Sequence, residues 1–366
     1  MWRAFLEYTR RLDWILLGTA LALTGIGLAA IYSIDLSRGG ELNFFSTQFL
    51  SLGIGMGVLL VAASWHMARY EKMAPLFFLL TVLVVVGVLF FGVTIRGTRG
   101  WFRLAGFSFQ PVELAKVALL LFMAWRIERA GRQFASNTFF WATAVMAALL
   151  IGPVLLQPDL GSALVMVALW FGLILLAGIK PRTLWIMVGT GILLFAIGWL
   201  FLFKDYQKER LLTFTDPGRD PLGAGYNVNQ SIIAIGSGQL WGRGLGFGSQ
   251  SQLHFLPEAQ TDFIIAVIGE ELGFIGLLAV IILYSILFHR LLRVARLARS
   301  DFAAYTALGV AILWSVQVGV NAGAALGLLP VTGVTLPLIS YGGSSLITNY
   351  LLIGIILSVE AEGRPA

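Results

Sequence analysis

Long apolar runs separated by short polar segments dominate the sequence. The runs are about 18 to 25 residues long, and an α-helix of that length crosses a hydrocarbon core of roughly 30 Å. We place ten such spans at about residues 14–34, 46–65, 75–95, 111–127, 138–156, 160–178, 184–203, 263–288, 302–326 and 345–359. The pattern predicts an all-α integral membrane protein, a polytopic bundle of about ten transmembrane helices in a single domain over residues 1–366.

Composition supports this class and excludes several kinds of site. Hydrophobic residues make up 58% of the chain and charged residues 12%, with a mean hydropathy of +0.85, whereas soluble domains have roughly 45–50% apolar and about 25% charged residues. The 366 residues include no cysteine, which excludes disulfides, thiolate metal sites and a cysteine nucleophile. The basic residues behind the net charge of +6 lie in short clusters between spans, so we expect no nucleic-acid partner.

The charges of the loops predict the orientation of the bundle. An even number of crossings returns both termini to one side, and cytoplasmic loops carry an excess of Lys and Arg. The short loops predicted on that side contain Arg69 and Lys72, Arg126, Arg129 and Arg132, Lys180 and Arg182, and Arg290, Arg293, Arg296 and Arg299. We therefore expect both the N-terminus and the C-terminus in the cytoplasm.

Two outward segments are basic despite this bias, namely residues 95–116 and a loop of about residues 204–262. Their cations are Arg96, Arg99, Arg103, Lys116, Lys204, Lys208, Arg210, Arg219 and Arg243. They favour an anionic ligand such as a phosphate, although pairing with the acidic residues of the same loop is the alternative. Apolar stretches within the long loop predict that it is ordered on the membrane face.

Three polar motifs adjoin predicted spans on the outer side. In Gln110-Pro-Val-Glu-Leu-Ala-Lys116, Pro111 suits the first helical position, and Glu113 and Lys116 are three residues apart; the pair either caps a helix or lines a polar cavity. In Gln157-Pro-Asp-Leu-Gly161, Asp159 is a candidate site residue or a helix N-cap. Ser344 and Ser345 end the motif Ile339-Ser-Tyr-Gly-Gly-Ser-Ser345, where a helix N-terminus offers donors to an anion or ordinary caps.

Asp262 lies where the long loop meets a predicted span. If the helix begins at Pro257, Glu258 and Asp262 share a face. A partly desolvated carboxylate that remains reachable from outside suits a general base, and the alternative is a helix cap formed with Thr261. Glu270 and Glu271 would lie roughly 12 Å into the bilayer at 1.5 Å per residue and must face protein or water.

A nucleotide site built on glycines and a metal site built on histidines are both less favoured. The run Gly242-Arg-Gly-Leu-Gly-Phe-Gly248 lacks the strand and helix of a dinucleotide site, so its glycines are expected to bring the backbone close to the membrane or a ligand. The three histidines are scattered, which gives no histidine-based metal site. A divalent cation, Mg²⁺ or Mn²⁺, held through carboxylates and a substrate pyrophosphate stays open.

In their order along the chain these motifs resemble the SEDS family of shape, elongation, division and sporulation proteins. The resemblance covers nearly the whole chain. It rests on Gln110-Pro-Val-Glu113 with Lys116, Gln157-Pro-Asp-Leu-Gly161, Gly225-Tyr-Asn with Gln230-Ser231, Leu256-Pro-Glu-Ala-Gln-Thr-Asp-Phe263 with Glu270-Glu-Leu-Gly273, and Pro330-Val-Thr-Gly through Ser345.

The resemblance implies a peptidoglycan glycosyltransferase that polymerises lipid II at the outer face of the bacterial cytoplasmic membrane, beside a class B penicillin-binding protein. It implies that Asp262 is the general base that deprotonates the acceptor sugar's C4 hydroxyl, with undecaprenyl pyrophosphate as the leaving group. The residues offered for substrate binding are Glu113, Lys116, Arg99, Asp159, Arg210, Gln230, Glu258, Ser344 and Ser345.

The sequence departs from the family pattern at a few positions. Val112 replaces the usual serine, Gln260 replaces the histidine before Thr-Asp, and Gly100 separates Arg99 from Trp101. The segments around Asp13 and 249–253 are more similar to the elongation branch, typified by RodA, than to the division branch, typified by FtsW. A lipid II flippase and a non-enzymatic scaffold for a transpeptidase are the competing functions, but the ionisable residues crowd the outer side, which favours an enzyme.

Overall fold

Ten long helices dominate the computed structural model, which describes residues 13–39, 42–95, 97–104, 107–131, 136–216 and 223–363. In chain order the elements are α1 (Trp14–Ser37), α2 (Asn43–Ala63), α3 (Met67–Phe91), β1 (Val93–Ile95), β2 (Thr98–Leu104), β3 (Phe107–Phe109), α4 (Pro111–Ala130), α5 (Asn137–Leu156), α6 (Leu160–Ala177), α7 (Pro181–Ile197, continued by the π-helical Gly198–Leu202), α8 (Asp205–Thr215), α9 (Ala224–Ser237), α10 (Ser249–Gln252), α11 (Ile264–Leu297), α12 (Asp301–Ala325) and α13 (Gly343–Gly363).

The predicted polytopic bundle is confirmed. Within the described ranges, nine helices are long and apolar enough to cross a membrane, and the more charged α4 is packed among them. Helix α3 begins at Met67 rather than near residue 75, and α11 continues to Leu297 rather than ending near 288. The hydropathy pattern misses these ends because Lys, Glu and Arg disfavour the hydrocarbon core but are good helix formers.

Helix α13 forms the centre of the bundle and is buried along most of its length. It packs most extensively against α2, where a Cβ on Gly354 would lie 2.6 Å from the backbone oxygen of Leu59. Only glycine permits that approach, as is common between membrane helices. Helix α7 lies at the edge instead, with Trp185 73% exposed and Ile192 66% exposed, as expected for side chains that face lipid.

One end of the bundle carries the small sheet and the 204–262 loop, and we call it the loop face. The sheet is antiparallel in the order β1-β2-β3, with Phe102 opposite Phe109. The hydropathy pattern did not predict these short strands. Helices α8, α9 and α10 lie within the long loop, so the prediction that the loop is ordered is confirmed for its described part.

A buried ion-pair cluster ties three elements together near the termini of the chain. Asp13 accepts hydrogen bonds from the first turn of α1, at 3.1 Å from both Ile15 N and Leu16 N. Its other oxygen lies 2.6 Å from Nε of Arg290 on α11. Glu360 of α13 lies 3.8 Å from the same guanidinium group. The ion pairs of Arg290 with these two carboxylates therefore hold the start of α1 against α11 and α13.

Candidate active site

A cavity of about 440 Å³ opens on the loop face between the sheet, the long loop and the start of α13. Its described lining combines carboxylates, hydroxyls, backbone groups and apolar side chains. The polar lining residues are Thr47, Thr98, Ser108, Gln110, Asp159, Gln207, Thr261, Asp262, Thr332, Thr335, Tyr341, Ser344 and Ser345. A concave site with a few convergent polar groups on an apolar wall is typical of a small-molecule or lipid headgroup site.

Asp262 is half-buried on the wall of this cavity. Helix α11 begins only at Ile264, and its N-cap position, Phe263, makes no side-chain capping bond. The alternative that Asp262 and Thr261 cap the helix is therefore not supported. The segment before Ile264 forms turns, so the condition that the helix begins at Pro257 is not met, and Glu258 and Asp262 do not share a helical face. The predicted span start at residue 263 agrees with Ile264.

Glu258 supports the turn before Asp262 and does not line the cavity. Its backbone has a φ of 52°, in the left-handed region, and its carboxylate oxygen Oε2 lies 3.2 Å from Oγ1 of Thr261 and 3.4 Å from Nε2 of Gln260. The Glu258 carboxylate thus accepts hydrogen bonds from the side chains of both residues that precede Asp262 in the turn.

Asp159 brings a second carboxylate to the cavity wall. It is the N-cap of α6, with Oδ1 2.9 Å from Ser162 N and Oδ2 2.8 Å from Ser162 Oγ; Gln110 Nε2 lies 3.3 Å from Oδ2. The capping and site interpretations of Asp159 are therefore compatible. Burial raises the pKa of Asp159, whereas the bonds from Ser162 and the charge of Lys116 lower it.

The predicted ion pair at the start of α4 is present behind this wall. Pro111 occupies the first turn, and Nζ of Lys116 lies 2.8 Å from Oε2 of Glu113, with side-chain exposures of 5% and 8%. Neither residue lines the cavity. The charge of Lys116 lowers the pKa of Asp159 and the charge of Glu113 raises it, so the two members of the pair act on this carboxyl group in opposite directions.

Ser344 and Ser345 lie at the N-terminus of α13, where they face the cavity as the motif predicted. Oγ of Ser345 is 3.2 Å from Oγ1 of Thr335. The backbone N–H groups at the start of a long helix, together with its dipole, favour negative charge at this wall.

Besides Glu258, Glu113 and Lys116, two predicted substrate-binding residues, Arg99 and Gln230, are not among the described lining residues, and a third, Arg210, cannot be placed. Arg99 bonds to the C-terminal end of α3, with Nη2 2.9 Å from Phe90 O and Nε 3.1 Å from Gly92 O. Gln230 is half-buried on α9. Arg210 lies on α8, but its side chain is outside the described set, as are residues 96 and 219 entirely.

Glu270 and Glu271 hold the glycine-rich segment against α11. Glu270 accepts bonds from Gln250 N at 2.7 Å and Ser251 N at 3.0 Å, and Glu271 accepts one from Ser33 at 2.5 Å. Both are buried, which confirms that they face protein. A Cβ on Gly248 would lie 2.6 Å from the Glu270 carboxylate, so the glycines serve close backbone approach.

The described donor set fits a divalent cation only together with a ligand. Across the described part of the chain, His, Asp and Glu side chains form no group of three or more that could hold a metal. Asp159 and Asp262 are the carboxylates among the described lining residues. Magnesium is often bound by one or two carboxylates plus substrate phosphates, and Asp159 and Asp262 could supply those carboxylates.

Sequence reasoning missed part of the site. Trp101 of β2 and Tyr341 line the cavity but have no charge to attract notice. Gln48 and Asn321 lie within apolar spans, at 1% and 2% exposure, and bond to the segments around the cavity. Their polarity at membrane depth was the available signal, because such residues are rare and usually functional.

Comparison with known proteins identifies related chains over nearly the whole length. Residues 13–364 match the family model for cell cycle proteins of the FtsW/RodA/SpoVE type. The peptidoglycan glycosyltransferase MrdB of Escherichia coli K12 is 38% identical over 96% of this chain and 94% of its own. The probable peptidoglycan glycosyltransferase FtsW of Tolumonas auensis is 37% identical over 100% of this chain and 96% of its own.

Solved structures extend the comparison to the fold. A chain from a peptidoglycan synthase complex that coordinates polymerization and crosslinking has a TM-score of 0.81 and 32% identity, covering 96% of this chain and 98% of that one. The rod shape determining protein RodA of Thermus thermophilus has a TM-score of 0.73 and 30% identity, covering 97% and 98%. Because relatives of both branch names match about equally well, the elongation branch stays a prediction.

Proposed function

Because this chain belongs to the FtsW/RodA/SpoVE family of cell cycle proteins and is a peptidoglycan glycosyltransferase, we propose that its loop-face cavity polymerises lipid II with Asp262 as the general base. The observation that carries the proposal is the position of Asp262, half-buried on the wall of a polar cavity that is open at the loop face. There a carboxylate can both accept a proton and be reached by a sugar hydroxyl.

The proposed step is a substitution at an anomeric carbon. Asp262 takes the proton from the C4 hydroxyl of the acceptor sugar, and the oxygen forms a bond to the donor's anomeric carbon. The bond from that carbon to the pyrophosphate oxygen breaks, and undecaprenyl pyrophosphate leaves with the electron pair. Asp159 is proposed to hydrogen-bond a sugar hydroxyl, since its carboxyl group lies on the same cavity wall as Asp262.

Charge on the leaving pyrophosphate needs stabilisation at the same wall. The N-terminus of α13 with Ser344 and Ser345 would supply donors, and the buried pair of Glu113 and Lys116 is proposed to support the part of the wall near Asp159. We propose that four residues outside the described cavity lining assist in binding the rest of the lipid-linked substrate or in shaping the entrance of the cavity. They are Arg99, Arg210, Gln230 and Glu258. Positive groups and helix dipoles aimed at developing charge are a major source of rate enhancement.

A divalent cation, Mg²⁺ or Mn²⁺, is proposed as a partner of the pyrophosphate. It would neutralise the leaving group's charge when bound, and Asp159 or Asp262 would supply its protein ligand. Addition of a chelator to the polymerising enzyme should stop glycan formation, and either cation should restore it. Unchanged product in the chelator would reject the cation.

The multi-pass chain is proposed to lie in the bacterial cytoplasmic membrane with both termini inside and the loop face outside, beside a class B penicillin-binding protein. The basic loops and the relative found in a synthase complex support this.

The chain contains no cysteine, so single introduced cysteines report on which side of the membrane a residue lies. An impermeant maleimide on intact cells should label Asn229→Cys and leave Arg296→Cys unlabelled; the reverse would contradict the orientation.

Reconstitution tests the activity itself. Purified protein in liposomes with its transpeptidase partner and lipid II should form glycan strands, as should Asp205→Asn, which alters an exposed carboxylate outside the described cavity lining. Folded Asp262→Ala should form none. Equal glycan from Asp262→Ala would sink the general-base role. Movement of lipid II across the bilayer without any glycan from wild type would favour a transporter.

A further inference from the structure

The backbone that carries Asp262 is held by a row of hydrogen bonds from distant parts of the chain. Three consecutive carbonyl oxygens each accept one bond from the region 321–341. The bonds are Tyr341 N to Gln260 O at 2.9 Å, Ser340 Oγ to Thr261 O at 2.7 Å, and Asn321 Nδ2 to Asp262 O at 3.2 Å. Two of the three donors are side chains, so these positions depend on residue identity and not only on backbone shape.

Asn321 joins two walls of the cavity through one amide group. It lies on α12 at 2% exposure, and its Nδ2 also donates to Val334 O at 2.8 Å. Val334 lies between Gly333 and Thr335, which line the cavity, as does Asp262. The amide therefore fixes the distance between the Asp262 turn and the 333–335 segment, and it does so without lining the cavity itself.

Ser340 and Gln48 extend the same support. The Ser340 hydroxyl donates to Thr261 O and accepts from Leu336 N at 2.9 Å. Gln48 of α2 donates through Nε2 to Ser340 O at 3.1 Å and accepts through Oε1 from Gly342 N at 3.0 Å. One side-chain amide thus holds both ends of the 340–342 turn, which in turn holds residues 260 and 261.

This support replaces the bonds that a helix would have supplied. Asp262 precedes the first residue of α11, and Phe263 has non-helical backbone angles of φ −115° and ψ 22°. Reacting groups in enzymes must be held close to their productive positions, and an error of about 1 Å can lower the rate about 10²-fold. Within the turn, Thr261 N and Asp262 N donate to Glu258 O at 3.0 and 3.2 Å. The carbonyls of residues 260–262 accept from outside the turn instead, and these external bonds supply support that the turn's own bonds do not.

We propose that Asn321, Ser340 and Gln48 are positioning residues that set the location of the Asp262 carboxylate, an inference that rests on Asp262 being the base. None of them touches the reacting atoms in this role. Their loss displaces the carboxylate, whereas the part of the cavity wall that carries Asp159, which they do not bond to in the contacts above, remains for the lipid-linked substrate. The effect therefore falls on kcat and not on KM.

The matched test compares two amides on α12. Asn321→Leu removes both donated bonds and keeps the number and the branching of the side-chain heavy atoms. Gln317→Leu changes an amide one turn earlier with the same 2% exposure, and none of the bonds described above involves Gln317. In the reconstituted complex, Asn321→Leu should lower kcat about 10²-fold with KM changed less than about two-fold, while Gln317→Leu should keep the wild-type kcat.

A graded pair on α2 keeps the test decisive if Asn321→Leu does not fold. Gln48→Glu retains the acceptor for Gly342 N and loses the donor to Ser340 O, whereas Gln48→Met loses both. The kcat should fall in the order wild type, Gln48→Glu, Gln48→Met. Amide hydrogen exchange in residues 258–263 should rise in the same order, a change that a loss of global stability would spread over the whole bundle.

The outcomes separate this inference from the function it rests on. If Asp262→Asn is inactive and Asn321→Leu and Gln48→Met both retain wild-type kcat, the positioning role is overturned and the role of Asp262 stands. If Asp262→Asn is itself active, the general-base role fails first. A loss of kcat in Gln317→Leu equal to that in Asn321→Leu would also overturn the inference, because the effect would then belong to α12 as a whole.

Discussion

Nζ of Lys116 lies 2.8 Å from Oε2 of Glu113 on the first turns of α4, and both side chains are almost completely buried. Removing one partner of a buried ion pair leaves an uncompensated charge, which typically costs about 3–5 kcal/mol. We therefore expect Lys116→Met to destabilise the folded protein by about that amount. Thermal unfolding in detergent measures the change.

The double variant is the control for this prediction. Glu113→Gln combined with Lys116→Met removes both charges, so its melting temperature should recover most of the loss. A single Lys116→Met variant as stable as wild type would mean that water or another group already compensates Glu113.

Close packing between α13 and α2 gives a second prediction. Gly354→Ala would place its Cβ 2.6 Å from Leu59 O and 2.7 Å from the Ala62 Cβ, and overpacking of this kind costs about 1–3 kcal/mol. Gly319→Ala on α12 meets no heavy atom within 4 Å and should be neutral or stabilising because alanine is the better helix former. Melting temperatures of the two variants should move apart; a common shift would contradict the packing.

The two hydrogen bonds that the Glu270 carboxylate accepts from the 250–251 backbone predict a local change. Glu270→Leu leaves the N–H groups of Gln250 and Ser251 without their acceptor, at a cost of about 1–3 kcal/mol each. The loss falls on a loop, so limited proteolysis near residues 243–252 should become faster. Asp205→Asn, on the same face, should not change the cleavage rate. A cleavage rate in Glu270→Leu equal to that of wild type would show that these two hydrogen bonds are dispensable.

Asp159 predicts a dependence of stability on pH. Burial raises the pKa of its carboxyl group, so the folded state holds the proton more tightly than the unfolded state. The resulting stability is present at low pH and is lost as pH rises from the ordinary carboxyl range through the raised pKa. The melting temperature of wild type relative to Asp159→Asn should therefore fall across this interval, and a rise would contradict the direction of the shift.

The elements that could be predicted from sequence are those governed by local pattern. Apolar runs located the ten long helices, and Pro111, Glu113 and Lys116 predicted the start of α4 with its ion pair. The small sheet escaped prediction because β1 and β3 have only three residues each, and β2, with the sequence TRGWFRL, does not alternate regularly between apolar and polar residues. The predicted span from residue 263 agrees with the start of α11 at Ile264. Nothing near Pro257 reveals, however, that Glu258 adopts a left-handed backbone conformation in the turn before it.

Long-range contacts set the rest of the site. Asp262 could be singled out as a carboxylate at a membrane boundary, but its neighbours on the cavity wall come from segments distant in sequence, such as those of Thr47 and Thr98. Asn321 and Gln48 were visible only as polar residues inside apolar runs. Which carbonyl each amide would reach depends on how α2, α11 and α12 pack, and that packing is a property of the whole bundle.

The single-turnover rate of Asp262→Asn tests the central claim most directly. Asparagine preserves the size of the side chain and removes its basicity, so bound lipid II should be retained with an affinity within about two-fold of wild type. General-base catalysis contributes about 10²–10⁴-fold, and glycosidic bond formation should slow by that factor. Bond formation at the wild-type rate by the folded, substrate-bound variant would contradict the account.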